Sequence, residues 1–214
     1  MSINSTKIPI LASRLDLLQV SSSIRTLPRV GAVACPCLDL SEANALVSVV
    51  DQLEYRPAKA KTGSDNAPVY QDFDLCYDVP SGHSLWKFAQ VMEQALTSAL
   101  AGAEVDGECY PLRLNDLIVQ RYPPGCAGIT PHRDHVRYGF LIAIILLTGD
   151  GYFGVCDDRQ GSESREIDFK PGDLLLMGGP GLIPNFRRPF HFVNGVTDWR
   201  RTIGLRYDTH KSDA

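Results

Sequence analysis

From Phe140 to Leu147 the chain passes through eight apolar residues with no polar interruption. Successive side chains of a strand point to opposite faces, so a run of this kind fits a central strand covered on both sides. Other strand signals lie near 115–122, 151–157, 173–178, 186–193 and 200–208, and the apolar run itself spans about 139–148. Pro171-Gly172-Asp173 is a turn signal ahead of Leu174-Leu175-Leu176-Met177, and Asp173 is assigned no chemistry. The first half of the chain differs. Residues 1–30 are Ser-rich and without periodicity, and they read as irregular. Ser41 can cap a helix through about Leu53, with Leu46, Val49, Val50 and Leu53 as its apolar stripe. Residues 56–68 read as a polar linker, and Val69 to Val79 alternates as a strand does. After Pro80-Ser81-Gly82 a second amphipathic helix runs from about Ser84 to Leu100, closed by Gly102. Two helices followed by many strands predict a mainly β, α+β chain, with the helices packed against a β-sandwich or barrel. At 214 residues and 44% apolar, one domain over 1–214 can bury a sizeable core without a second.

The residues with chemical capacity gather in the β-rich half. Asn115 to Tyr122 reads as a strand ahead of Pro123-Pro124-Gly125, and the chain resumes as Ile129-Thr130-Pro131-His132-Arg133-Asp134. In an extended segment residues two apart share a face, so His132 and Asp134 point together while Arg133 points elsewhere. A helix would pair His132 with His135 instead, but Pro131 disfavours one, so Asp134 is preferred. Two imidazoles and one carboxylate occupy three positions on one face of a divalent metal and leave the rest open, as in non-haem Fe(II) oxygenases. His191, flanked by apolar residues, is the candidate second imidazole. In Arg200-Arg201-Thr202-Ile203-Gly204-Leu205-Arg206-Tyr207, alternation places Arg200, Thr202, Gly204 and Arg206 on one face, with Arg201, Ile203, Leu205 and Tyr207 on the other. Two guanidiniums, a hydroxyl and a glycine make a poor wall for an apolar core, and buried charges need an anionic partner. The planar fork of arginine suits a carboxylate.

The order of H-x-D, a distal histidine and R-x-T, with a second arginine six residues after the first, resembles the Fe(II)/2-oxoglutarate-dependent dioxygenases, and within them the AlkB-like group. Gln120-Arg121-Tyr122-Pro123-Pro124-Gly125 is similar to the family's N-R-Y-x-P-G strand and turn. The resemblance covers about residues 113–208, with weaker support over 38–100. It implies a double-stranded β-helix (jelly roll) with helices on one sheet and a catalytic core over 113–208. It further implies His132, Asp134 and His191 as iron ligands. Arg200, with Tyr122 and Thr202, is implied as the clamp on the distal carboxylate of 2-oxoglutarate, and Arg206 as a contact near the carboxylate bound to iron. Iron, 2-oxoglutarate and O2 are the implied reactants. Oxidative decarboxylation to succinate and CO2 then drives oxidation of a C–H bond, by hydroxylation or by demethylation of an N-methyl group. Asp134 excludes a halogenase, which needs that position for halide. Two departures matter: Gln120 stands where the family commonly has asparagine, which bears on its contact to the co-substrate, and His135-Val136-Arg137-Tyr138 lacks the acidic residue of some nucleic-acid demethylases, which leaves the substrate open.

The net charge of −4, with no run of lysines or arginines, gives no long-range attraction for a polyanion. The expected substrate is therefore a small molecule. The alternatives are an AlkB-type demethylase of N-methylated nucleic acid or protein, and a non-catalytic jelly-roll sensor of metal and 2-oxoglutarate. The expected cover of the site is the stretch 56–72 with Arg133, Arg137 and Tyr138. Cysteines 35, 37, 76, 109, 126 and 156 show no secreted-framework spacing and read as reduced thiols. No N-terminal apolar h-region or long apolar span is present, so the expectation is a cytoplasmic protein without a membrane partner.

Overall fold

The long apolar run is the strand Tyr138–Thr148, and its surroundings explain its composition. Leu141, Ala143, Ile145 and Leu147 enter a core shared with the helices, while Ile142, Ile144 and Leu146 enter a second core between two sheets. In this computed structural model, which describes residues 13–103, 105 and 112–211, that strand is the eighth of thirteen. In chain order the elements are α1 (Leu17–Val30), β1 (Ala32–Pro36), α2 (Leu40–Val50), β2 (Arg56–Pro57), β3 (Lys61–Ser64), β4 (Ala67–Asp72), β5 (Asp74–Cys76) and α3 (Ser84–Ala103). There follow β6 (Asp116–Tyr122), β7 (Gly128–His132), β8 (Tyr138–Thr148), β9 (Tyr152–Cys156), β10 (Arg165–Glu166), β11 (Asp173–Gly178), β12 (Phe190–Asn194) and β13 (Arg200–Asp208). Seven strands form one sheet in the order β1-β11-β8-β13-β6-β5-β2, and six form the other, β10-β9-β12-β7-β4-β3. Neighbouring strands run antiparallel throughout the described residues. The architecture is the jelly roll expected, with helices on the outer face of the seven-stranded sheet, where α1 meets α3, β1 and β11 and α2 meets β8.

Several local expectations are corrected. Residues 17–30 are not irregular but helical: Asp16 caps α1, its carboxylate accepting from the Leu18 N–H at 2.8 Å, and Gly31 ends it at φ 76°. The triple serine and Pro28 mask a buried stripe of Val20, Ile24 and Leu27. Ser21 is no surface residue, since its hydroxyl donates to the Ala99 carbonyl of α3 at 2.9 Å. Asp39, not Ser41, caps α2. Its side chain accepts from the Glu42 N–H while Glu42 accepts from the Asp39 N–H, both at 2.8 Å, which is a capping box. Gly102 lies inside α3 rather than closing it; a Cβ there would come within 3.1 Å of the Ser21 hydroxyl, so the glycine permits the close crossing of α1 and α3.

The stretch 56–68 is not a linker. It contains β2, β3 and the start of β4, with a two-residue Asp65-Asn66 turn joining Ser64 to its partner Ala67. Strands β2 and β3 lie at sheet edges, with no buried side chain, so polar composition and strand structure coexist. The strand expected over 69–79 breaks at Phe73, where the chain leaves one sheet for the other: β4 pairs with β7 and β5 with β6. Phe73 itself is buried against Tyr122, ring centroids 4.7 Å apart. The strand expected from 186 begins only at Phe190, after Pro189, which has no N–H for a ladder. Strand β1, which carries Cys35, is an addition to the expected set; it pairs with β11. Cysteines 35, 37, 76, 126 and 156 are free thiols, while Cys109 lies outside the described residues. Among the described residues no helix is long and apolar enough to cross a membrane.

Candidate metal centre and its arginine strand

The pairing of β7 with β12 sets His132 directly opposite His191, with ring centroids 4.2 Å apart. Asp134 follows just beyond the end of β7, and its Oδ1 lies 3.7 Å from Nε2 of each histidine. One donor atom from each residue falls within 4.8 Å of the others, which is the spacing of a group able to hold one metal ion. His132 Nδ1 lies 3.0 Å from the Thr130 carbonyl oxygen. An Nδ1–H donated there leaves the Nε2 lone pair facing the other two donors. His191 stacks on Phe153 at 5.9 Å, and burial together with the neighbouring His132 pushes its pKa down to about 3. The ring is thus neutral near pH 7, as a ligand must be. Burial alone would raise the Asp134 carboxyl, but Arg206 and the two imidazoles hold it well below the usual carboxylate range. Its oxygens divide their duties, Oδ1 facing the histidines and Oδ2 accepting from Arg206 Nε at 3.2 Å. His135 is exposed and stands apart from this group; its Nδ1 accepts from the Arg137 N–H.

The arginine strand lies across the same cavity, which Gln120, Tyr122, Arg200, Thr202 and Arg206 line together with the three donors. The β6–β13 register explains the set: Tyr122 stands opposite Arg200, Gln120 opposite Thr202 and Asp116 opposite Arg206. The Thr202 hydroxyl donates to Gln120 Oε1 at 3.4 Å. Arg200 is 1% exposed. Its Nη1 donates to the Asp150 carbonyl at 2.8 Å, and its Nε has no partner among the described residues. Burial lowers the guanidinium's affinity for its proton, Tyr122 and the Asp150 carboxylate offset this only in part, and among the described residues no carboxylate lies within salt-bridge distance of it. On the opposite face Ile203 and Leu205 fill the helix-side core, and Arg201 bonds Asp51 at 2.7 Å near the surface.

The structure adds residues that sequence reasoning missed. Asp116, fully buried, lies 3.8 Å from Arg206 Nη1 and accepts from the Tyr77 hydroxyl at 3.0 Å and from Lys211 Nζ at 2.6 Å. Tyr138 does not cover the site. It is buried, hydrogen-bonds Tyr77 at 2.7 Å and places its ring 5.1 Å from the Arg206 guanidinium. A signal for Asp116 exists in β6, where Asp116, Ile118, Gln120 and Tyr122 share one face by alternation. None of residues 56–72 lines the cavity. Arg133 points away from it, over the Phe190 ring at 4.1 Å, where burial and the charges of Arg188, Arg187 and Arg159 lower its pKa.

No family model matches the chain, and no curated protein matches its sequence. Its fold is similar to that of a 2OG-Fe(II) oxygenase family oxidoreductase from Burkholderia pseudomallei, with a TM-score of 0.61, 16% identity and 94% of each chain covered. It is also similar to a prolyl-4-hydroxylase from Pseudomonas putida, with a TM-score of 0.59, 15% identity, and 88% of this chain and 98% of that one covered. A Neurospora crassa protein, determined at full length in complex with alpha-KG, gives a TM-score of 0.56 at 12% identity, over 92% of this chain and 81% of that one. At these identities the likeness is one of fold.

Proposed function

We propose that this chain is a non-haem Fe(II)- and 2-oxoglutarate-dependent oxygenase that hydroxylates a C–H bond of a small molecule. One observation carries the proposal: a buried arginine without a carboxylate partner among the described residues shares a cavity with two histidines and one carboxylate that can hold one ion. His132, Asp134 and His191 would hold the iron. Arg200, with Tyr122, Thr202 and Gln120, would hold the far carboxylate of 2-oxoglutarate, supplying the charge that the guanidinium lacks. Bound together, iron and 2-oxoglutarate supply the oxidising power for O2-dependent C–H oxidation, with succinate and CO2 as co-products. The protein's own part is positioning and exclusion. Arg206 fixes Asp134 through Oδ2, and Asp116 and Tyr138 fix Arg206 in turn. Ile129, Ile144, Phe153 and Val193 supply the apolar part of the cavity wall.

The acidic net charge favours a small substrate. Prolyl hydroxylases among the similar folds favour hydroxylation as the outcome. AlkB-type demethylation is the alternative carried by Gln120-Arg121-Tyr122-Pro123-Pro124-Gly125, and formaldehyde release from N-methylated oligonucleotides or peptides would reveal it. The test is an anaerobic titration with Fe(II) and 2-oxoglutarate followed by oxygen. A visible charge-transfer band that decays with succinate release is the expected result. A band that persists in oxygen would make the chain a binder of both, and no band at all would overturn the assignment.

A further inference from the structure

Beside the metal-ligand cluster, at the same end of the two sheets, lies a second cavity of about 190 Å³. It sits between the C-terminal end of α1, the end of β9 and the segment leading into β12, with Arg29, Arg133, Arg165, Arg187 and Arg188 in its walls. Two carboxylates, Asp157 and Glu163, also reach it, and among the described residues neither forms an ion pair with these arginines. A chain whose net charge is −4 has therefore collected five guanidiniums around one hollow. Ordinary surface arginines would each sit apart or beside an acid, because like charges at close range repel.

Three of the five wall arginines, Arg133, Arg165 and Arg188, are also held in place, and Arg159 stands next to the cavity. Arg133 and Arg159 both lie over the Phe190 ring, at 4.1 and 5.5 Å, and the buried Arg133 Nε has no hydrogen-bond partner among the described residues. Arg188 donates to the backbone carbonyl of Asp134, and Arg165 to that of Val30. Two residues tie the cavity to the candidate metal centre. Arg133 stands between His132 and Asp134 in the chain, and Arg188 bonds the carbonyl of Asp134 itself. Stacked or backbone-anchored guanidiniums with donors to spare form a receptor for an oxyanion.

We propose that this cavity binds an oxyanion group of the primary substrate, either a tetrahedral phosphate or sulfate or a planar carboxylate, and so fixes which C–H bond faces the metal. The assignment rests on the Fe(II)/2-oxoglutarate reading for its catalytic meaning, but not for the existence of the anion site. Its size suits one anionic group on a small molecule.

The test is calorimetric titration of the metal-free full chain with sulfate, inorganic phosphate and acetate in turn. Saturable binding is expected, with sulfate and phosphate above acetate for a tetrahedral group and the reverse for a carboxylate. Arg133→Gln or Arg187→Gln should each weaken the favoured anion about 10- to 100-fold, the loss of a charge-assisted hydrogen bond. Arg201→Gln, which removes one remote charge, should change it little, and melting curves confirm that each variant folds. Absence of saturable binding to all three anions, or unchanged binding in both pocket variants, would overturn the proposal. An oligonucleotide of about twenty nucleotides that binds far more tightly, with a salt slope of several phosphates, would instead assign the patch to nucleic acid. The charge-transfer band of the wild-type protein is measured in parallel. Anion binding without the band refutes the oxygenase reading alone, and the band without anion binding refutes this one alone.

Discussion

At the scale of single residues, the site's design is a division of labour between neighbours in sequence. Arg200 and Arg201 differ by one position, yet one is buried in the cavity and the other bonds Asp51 near the surface. Arg200→Ala should raise the apparent Michaelis constant for 2-oxoglutarate steeply. Loss of a charge-assisted bidentate pair from a buried site costs about 2–4 kcal/mol, or about 30- to 1,000-fold. Arg200→Lys should restore only part, since an ammonium keeps the charge and loses the fork. Arg201→Ala should bind 2-oxoglutarate nearly normally; steady-state kinetics that reversed the two would remove Arg200 from its role. The ligands make a separate prediction. His132→Ala should lose orders of magnitude in iron affinity while keeping a cooperative melt, because its Nε2 is a direct donor and its side-chain hydrogen bond reaches only the Thr130 carbonyl two residues away. Metal analysis after dialysis checks this, and wild-type iron retention would contradict the ligand set.

At the scale of elements, the approach of β7 to β12 decides whether the two imidazoles meet. Gly128 begins β7 at φ 75°, and a Cβ there would stand 2.0 Å from the Val193 carbonyl oxygen of β12. Between His191 and Val193 the pairing register shifts, so the irregularity lies next to the histidine pair. Gly128→Ala should therefore cost at least about 1–2 kcal/mol from the left-handed backbone alone, and should weaken iron binding as well. Loss of stability without loss of metal affinity would show that the strands slide independently of the site. Strand β1 and the residue that follows it carry a different consequence. Burial pushes the Cys35 and Cys37 thiols up to about 12, with Asp173 adding to the first and Cys35 to the second. The native state keeps these protons where an unfolded chain, with thiols at about 8.5, has released them. Stability is hence full below about pH 8.5 and falls as pH rises toward 12. Cys35→Ala should flatten that alkaline decline in thermal melts. Alkylation at about pH 8 with peptide mapping should mark the half-buried Cys126 well ahead of both.

At the scale of the whole molecule, legibility follows the strength of the repeating signal. The apolar run of β8 and the alternation in β13 are readable because each strand's two faces meet different surroundings: two cores for the first, a core and a polar cavity for the second. The edge strands β2 and β3 are not, because strands with one free side need no apolar pattern. The alternation of β6 gives the face of Asp116 but not its partners, and Tyr77 escapes a sequence reading altogether, since both depend on which strands become neighbours, which one chain's periodicity does not state. Helix α1 escapes it for a local reason, its serines and Pro28, although Ile24 and Leu27 are wholly buried in the core that backs the seven-stranded sheet. This leads to a clear global expectation. If residues 17–30 were an irregular tail, Ile24→Ala or Leu27→Ala would cost well under about 1 kcal/mol, as surface changes do. Because α1 packs on α3, β1 and β11, each should instead cost about 2–5 kcal/mol. For a chain of this size that lowers the melting temperature by roughly 4–20 °C. The iron stoichiometry of the folded variant should stay at one, since α1 covers the outer face of the sheet and the ligand cavity opens between the two sheets. A melting temperature within about 1 °C of the wild type would return α1 to the periphery of the fold.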